Sequence, residues 1–206
     1  MIARKKIPGI LCFFRKKFVF LVPLIFFLTS ACNTTGPATA IPELTFNHRP
    51  LIALNVAKIK VINEYKMPFK GPNVEHRVPI SPGASAERWA ADILNPIGTD
   101  GFAQFVITSG SVIQEDLHIK TGLKGVFSID QSKRFTANVK ARLEIFDGGQ
   151  RMGTVEAAAS RSHTLREDAS PNLKTRLWYN LVEKLMQTFD IEMRNQINTH
   201  LKKYRR

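Results

Sequence analysis

Phe135-Thr136-Ala137-Asn138-Val139-Lys140-Ala141-Arg142-Leu143-Glu144-Ile145 alternates apolar and polar residues without a break. Successive side chains on a strand point to opposite faces, so the stretch predicts a dry face made by Phe135, Ala137, Val139, Ala141, Leu143 and Ile145. The other face, from Thr136 to Glu144, is wet. A sheet that is solvated on one side calls for antiparallel pairing, with another layer covering the apolar side. Asp147-Gly148-Gly149-Gln150 follows, and its glycines permit the positive φ of a tight hairpin turn. The return strand is expected over about Arg151 to Thr164, with Val155, Ala157 and Ala159 facing inward. Residues this small leave room for a helix to lie close.

That helix is the last element. Ser170 is its expected N-cap and Pro171 occupies the first turn, where a missing N–H costs nothing. It is expected to reach about Lys203. Leu177, Leu181, Leu185, Phe189, Met193, Ile197 and Leu201 recur at every fourth position. At 100° per residue each step drifts by about 40°, so the stripe winds most of the way round the helix and one flat sheet cannot cover it. Leu177 to Phe189, with Trp178 and Val182, should lie on the sheet. Met193, Ile197 and Leu201 should meet something else: the first helix, a bend or a partner chain. They are therefore the candidate partner-contact residues.

Upstream, Pro50 to Asn63 reads as one strand with a bulge near Ala57 and Lys58, where the alternation changes phase. Glu64 to Gly83 carries Pro68, Pro72, Pro79 and Pro82 with Gly71 and Gly83, and is a long connection. Ser85 to Leu94 has helical spacing, Trp89 is its core anchor, and Pro96 and Gly98 end it. Ala103 to Gln114 is a second strand, in which Gly110 marks a bulge or a close approach of backbone. Glu115 to Lys133 is an irregular insertion closing in a polar turn, Asp130 to Lys133. The expected fold is α+β: a two-layer domain over residues 50–206, with a mainly antiparallel sheet and two helices on one face.

The first 31 residues have a different character. Met1 to Lys17 holds six basic residues and no acidic one, and Phe18 to Leu28 (FVFLVPLIFFL) is uncharged. That run is shorter than the roughly 20 residues of a membrane-spanning helix, and reads as a signal peptide over residues 1–31. Leu28-Thr29-Ser30-Ala31-Cys32 resembles the lipobox of bacterial lipoproteins, with Thr29 where Leu or Val is usual. The resemblance implies cleavage between Ala31 and Cys32 and lipid on Cys32. The alternative is an ordinary secretory signal that leaves Cys32 as an unexplained free thiol. Cys12 departs with the signal, so Cys32 is the one cysteine of a 175-residue mature chain and no internal disulfide can form. Residues 32–49 are the lipidated cysteine and a tether; Asn33 to Leu44 would reach roughly 40 Å if extended. Asn33 stands where Asp would mark retention in the inner membrane. The expected location is therefore the periplasmic face of the outer membrane, with the inner membrane as the lesser alternative.

Loss of the signal lowers the formal charge from +13 to +7, because six of 30 basic residues and none of 17 acidic ones leave with it. This modest excess does not point to nucleic acid; it would help docking on anionic head groups or acidic proteins. His48, His76, His118, His163 and His200 are scattered without metal-ligand spacing, and neither metal nor cofactor is expected. Ser162, His163 and Asp168 invite comparison with a hydrolase triad, but neighbours on a strand face opposite ways, so adjacency cannot assemble one. No phosphate loop and no Gly-x-Ser-x-Gly elbow is present. The expectation is a non-enzyme.

Leu54-Asn55-Val56-Ala57-Lys58-Ile59-Lys60-Val61, the Arg88-Trp89 helix, Ile145-Phe146-Asp147 before a glycine turn, and the closing helix Leu181 to Ile197 together resemble the ABC-type transport auxiliary lipoproteins. A similar layout occurs in the lipoprotein that plugs the lipopolysaccharide translocon. The resemblance implies an accessory component of envelope transport or outer-membrane assembly, held on the membrane by lipid and working with a protein partner. It transfers no functional residue. The alternatives are a direct lipid carrier, with its ligand between sheet and helices, and an envelope enzyme.

Overall fold

The computed structural model describes residues 41–117, 131–166 and 168–206. The expected signal peptide with Ala31, Cys32, residues 33–40 of the expected tether and most of the 115–133 insertion lie outside the described residues.

The stretch from Phe135 to Ile145 is the middle of a longer strand. β6 spans Gln131–Asp147 and β7 spans Gln150–Arg166, and they pair antiparallel along nearly their whole length. The expected turn over Gln131 to Lys133 is thus the first part of β6. Gly148 and Gly149 join the two strands at φ 53° and 81°, the left-handed pair that matches a tight hairpin to the strands' twist. Every residue from Phe135 to Ile145 expected on the dry face is buried.

On the other side of β6 lie two consecutive segments, β4 (Phe102–Ser109) and β5 (Val112–Asp116), both antiparallel to it. The single expected strand is interrupted at Gly110 and Ser111. Gly110 is a close-approach residue: a Cβ there would sit 2.7 Å from the backbone nitrogen of Gly83. β2 (Lys58–Asn63) completes the sheet, parallel to β4. The sheet is otherwise antiparallel, so the α+β expectation holds.

Pro50 to Asn63 is not one bulged strand. β1 (Ile52–Leu54) and β2 belong to different sheets, and β1 pairs in parallel with β3 (Leu94–Pro96). The phase change read near Ala57 is the point where the chain leaves one sheet for the other.

Helix α1 runs Pro82–Ile93 from the N-cap Ser81, whose hydroxyl accepts the Ala84 N–H at 3.2 Å. Leu94, expected on this helix, opens β3 instead. Trp89 is fully buried, with its ring 5.5 Å from Phe105 of β4. Helix α2 runs Pro171–His200, capped by Ser170 as expected. Trp178 of α2 meets Phe135 edge-on at 5.4 Å, and Phe189 meets Trp89 at 5.4 Å. Both helices therefore cover the inner face of the sheet.

Two boundaries move. Leu44 and Phe46 are buried in the core, so the packed domain includes part of the segment expected as tether up to residue 49. The helix stops at His200, and the tail turns back to pair with β1: Asn55 N–H donates to the Tyr204 carbonyl at 2.7 Å and Arg206 N–H to the Ala53 carbonyl at 3.2 Å. These two changes explain a third.

Met193, Ile197 and Leu201 are at most 1% exposed, so they are not a partner-contact surface. Their cover comes from the chain itself. As the stripe drifts round α2, the segment before β1 crosses it: Arg194 donates to the Pro50 carbonyl at 2.7 Å, and Phe46, Ile52 and Leu54 share the same core. Leu201 lies over Gly153 of β7, where a Cβ would be 2.7 Å from its Cδ2.

Candidate functional site

The outer face of the sheet carries charges of both signs, several of them paired. Lys140 pairs with Glu156 at 2.7 Å, Arg142 with Glu64 at 3.1 Å, and Arg151 with Glu144 at 3.0 Å. Phe102 and Phe146 stack at 5.0 Å, with the Lys60 ammonium 5.0 Å from the Phe102 ring centre. The first two of these ion pairs are exposed and contribute little to stability.

Two carboxylates are buried to 1% exposure, and neither was singled out in the sequence. Asp190 of α2 accepts from Arg49 Nη1 at 2.8 Å, Trp89 Nε1 at 2.8 Å and Arg194 Nε at 2.9 Å. One side chain thus ties the segment before β1, α1 and α2 together. An acidic residue within an apolar helical stripe, with Arg four positions on, was the available signal. Glu75 sits in a short 3-10 turn of the long connection and accepts the Tyr65 hydroxyl at 2.7 Å and the Val112 N–H at 3.2 Å. Its oxygens hold the breaker-rich connection against β5. Burial, and then the Glu75 carboxylate, raise the Tyr65 hydroxyl well above the usual tyrosine range. Both clusters are acceptors already filled by donors, which suits clamping.

The histidines stay apart. His48, His76, His163 and His200 are all exposed, and His118 lies outside the described residues. Ser162 and His163 pair with successive β6 residues, Thr136 and Phe135, and so face opposite ways. Asp168 is held by Arg166 at 3.0 Å. Among the described residues no group of three or more His, Cys, Asp or Glu converges as a metal site.

Among several surface recesses of similar size, one of about 390 Å³ is a groove where the end of β7 parts from α2. Inward-facing positions on β7 are buried from Val155 to Ala159, but the next two, Arg161 and His163, are exposed. The helix opposite contributes Leu173, Leu177 and Leu181 as an apolar floor, and Leu173 is 51% exposed. Arg161, Arg176 and Lys184 supply positive charge, and among the described residues the lining includes no carboxylate. The groove was not foreseen because strand and helix are far apart in sequence, although Leu173 precedes the recognised stripe by one step.

Beside it, Lys174 lies over the Trp178 ring at 4.6 Å. Burial, followed by the charges of Arg77 and Lys133, lowers its pKa from the ordinary lysine value. This end of the domain therefore concentrates cations. On the adjoining face of α2, Tyr179, Glu183 and Gln187 line a smaller recess against Leu44 and Phe46.

No helix among the described residues is long and apolar enough to cross a membrane. No protein-family model matches the chain, and no curated protein matches it.

Proposed function

We propose that this chain is a lipid-anchored, non-catalytic accessory protein of the bacterial envelope, acting at the periplasmic face of the outer membrane within a transport or assembly complex. The observation that carries the reading is the sequence Leu28 to Cys32 at the end of a basic and then apolar leader. Acylated Cys32 would hold the chain on the membrane, and the domain starts packing only about a dozen residues later.

The attachment of that segment supports a load-bearing role. Glu43 pairs with Arg88, Asp92 accepts the Phe46 N–H at 2.8 Å, and Arg49 reaches Asp190 at 2.8 Å. Tension from a membrane anchor would enter both helices at once. The reading as a lipid carrier with its ligand between sheet and helices is less well supported: Trp89, Phe105, Phe135 and Phe189 are fully buried in that interface. Lipid contact, if the protein makes it, belongs on the surface.

The test is to express the full chain in a bacterial host, release it from membranes with detergent, and determine the mass of its N-terminal peptide and the proteins that travel with it. A diacylglyceryl Cys32 with a reproducible envelope transport or assembly component is expected. An unmodified Cys32, or consistent recovery without any such component, would refute the proposal.

A further inference from the structure

We infer that the groove between β7 and α2 holds the phosphate head group of an anionic membrane phospholipid, with the first acyl carbons lying on its leucine floor. The proposal rests on the anchoring reading above for the source of the ligand. Three features of the groove carry it.

The first is charge complementarity. Arg161 faces the groove from the strand and Lys184 from the helix, so an anion placed there meets a cation from each wall, and the described lining holds no carboxylate. The Arg161 guanidinium suits the oxygens of a phosphate, which it can bind through two N–H donors at once. His163 and Asn180 add further hydrogen-bonding groups at the same lining. The second feature is amphipathy. Leu173, Leu177 and Leu181 follow one another at single-turn intervals beneath the cations, an arrangement that accommodates the junction between a charged head and a hydrocarbon chain better than it does a free ion.

The third feature is position. Leu44 and Phe46 dock beside Tyr179, Glu183 and Gln187, on the helix face next to the one that lines the groove. From Leu177 to Gln187 is about 15 Å along the helix axis at 1.5 Å per residue. Asn33 to Glu43 could span at most about 38 Å. An anchor at Cys32 therefore lets the groove reach the bilayer surface, and occupation of the groove would orient the domain on that surface. In this geometry α2 and the end of β7 face the lipid, while the opposite face of the sheet turns away.

The experiment uses the full-length chain, extracted in detergent and carrying Asn180→Cys. When Cys32 is acylated, the introduced thiol is the one free thiol of the mature protein. Its maleimide labelling rate is followed while short-chain phosphatidylglycerol, short-chain phosphatidylcholine or inorganic phosphate is titrated in. Phosphatidylglycerol should protect the thiol, and phosphatidylcholine and phosphate should not. Arg161→Gln with Lys184→Gln should weaken that protection about thirtyfold, at roughly fivefold per cation near a lipid surface. Lys58→Gln with Lys60→Gln makes the same charge change on the outer face of the sheet and should leave it unaltered.

Equal protection by phosphatidylcholine, protection by phosphate alone, or indifference to the Arg161 and Lys184 changes would each overturn the inference. The short-chain lipid needs no anchor to reach the groove. A failure here is therefore distinct from an unmodified Cys32, which the mass of the N-terminal peptide reads separately.

Discussion

Replacing Asp190 with alanine should be among the most damaging single changes in this domain. The carboxylate is 1% exposed and receives donors at 2.8 to 2.9 Å from Arg49, Trp89 and Arg194. Removal leaves the indole N–H of Trp89 buried without an acceptor and two guanidinium groups without their counter-charge. Breaking a buried ion pair by deleting one partner costs about 3 to 5 kcal/mol. The Arg49 and Arg194 side chains keep 28% and 22% exposure, so water compensates in part. The low end of the range, about 3 kcal/mol, is the appropriate expectation. With an m-value of about 2 kcal/mol/M this moves the urea midpoint down by about 1.5 M, and the thermal midpoint by about 6 to 12 °C. Asp190→Asn should cost about half as much, because its amide oxygen still accepts one bond. The assay is equilibrium urea unfolding of the chain lacking residues 1–31, with Cys32→Ser, followed by circular dichroism. The reasoning is refuted if Asp190→Ala costs less than about 1 kcal/mol, or if Arg49→Ala and Asp190→Ala are additive within about 0.5 kcal/mol in a double-mutant cycle.

Other expectations follow from the same structure. Ile197→Ala should destabilise by about 2 to 4 kcal/mol as a buried large-to-small change, whereas Ile191→Ala, at a position 58% exposed, should stay within about 0.5 kcal/mol in the same unfolding assay. Gly110→Ala should cost about 2 kcal/mol or more, because its Cβ would meet Gly83 backbone at 2.7 and 2.8 Å. Gly83→Ala should be tolerated, since the nearest atom to its Cβ is the Asn63 side-chain nitrogen at 3.5 Å. Tyr65 provides a pH dependence: its folded pKa is raised, so its contribution is complete below the ordinary tyrosine value near 10 and is lost as pH climbs from there toward the folded value. Tyr65→Phe should cost about 1 kcal/mol at neutral pH through the lost bond to Glu75 and should flatten the alkaline fall in stability. Urea midpoints measured from pH 8 to pH 11 would show no such flattening if the hydroxyl were not held by Glu75.

The long hairpin was legible in the sequence because its determinants are local. Alternation over Phe135 to Ile145, glycines at 148 and 149, and the Ser170-Pro171 helix start each need only a few neighbouring residues to be read. The mistaken expectations share a different cause. Pro50 to Asn63 looked like one strand because period-2 alternation says nothing about which sheet a strand joins. The split into β1 and β2 depends on β3 and β4, which lie some 40 residues away in the chain. Leu44 and Phe46 looked like tether because two apolar residues among Thr, Pro and Asn show no period. Met193, Ile197 and Leu201 looked unpartnered because their cover comes from the other end of the domain.

By itself, then, the sequence determined the long hairpin, the bodies of the two helices with their apolar faces, and the lipobox-like stretch before Cys32, since each depends on residues a few positions apart. Tertiary structure alone decided that the late apolar stripe is core, that Asp190 is the point where three distant segments are tied, and that Arg161 and Lys184 flank one groove. Those relations join residues separated by twenty to more than a hundred positions. They exist only after the apolar faces have buried each other, because burial brings the donors, acceptors and charges of remote segments to hydrogen-bonding distance.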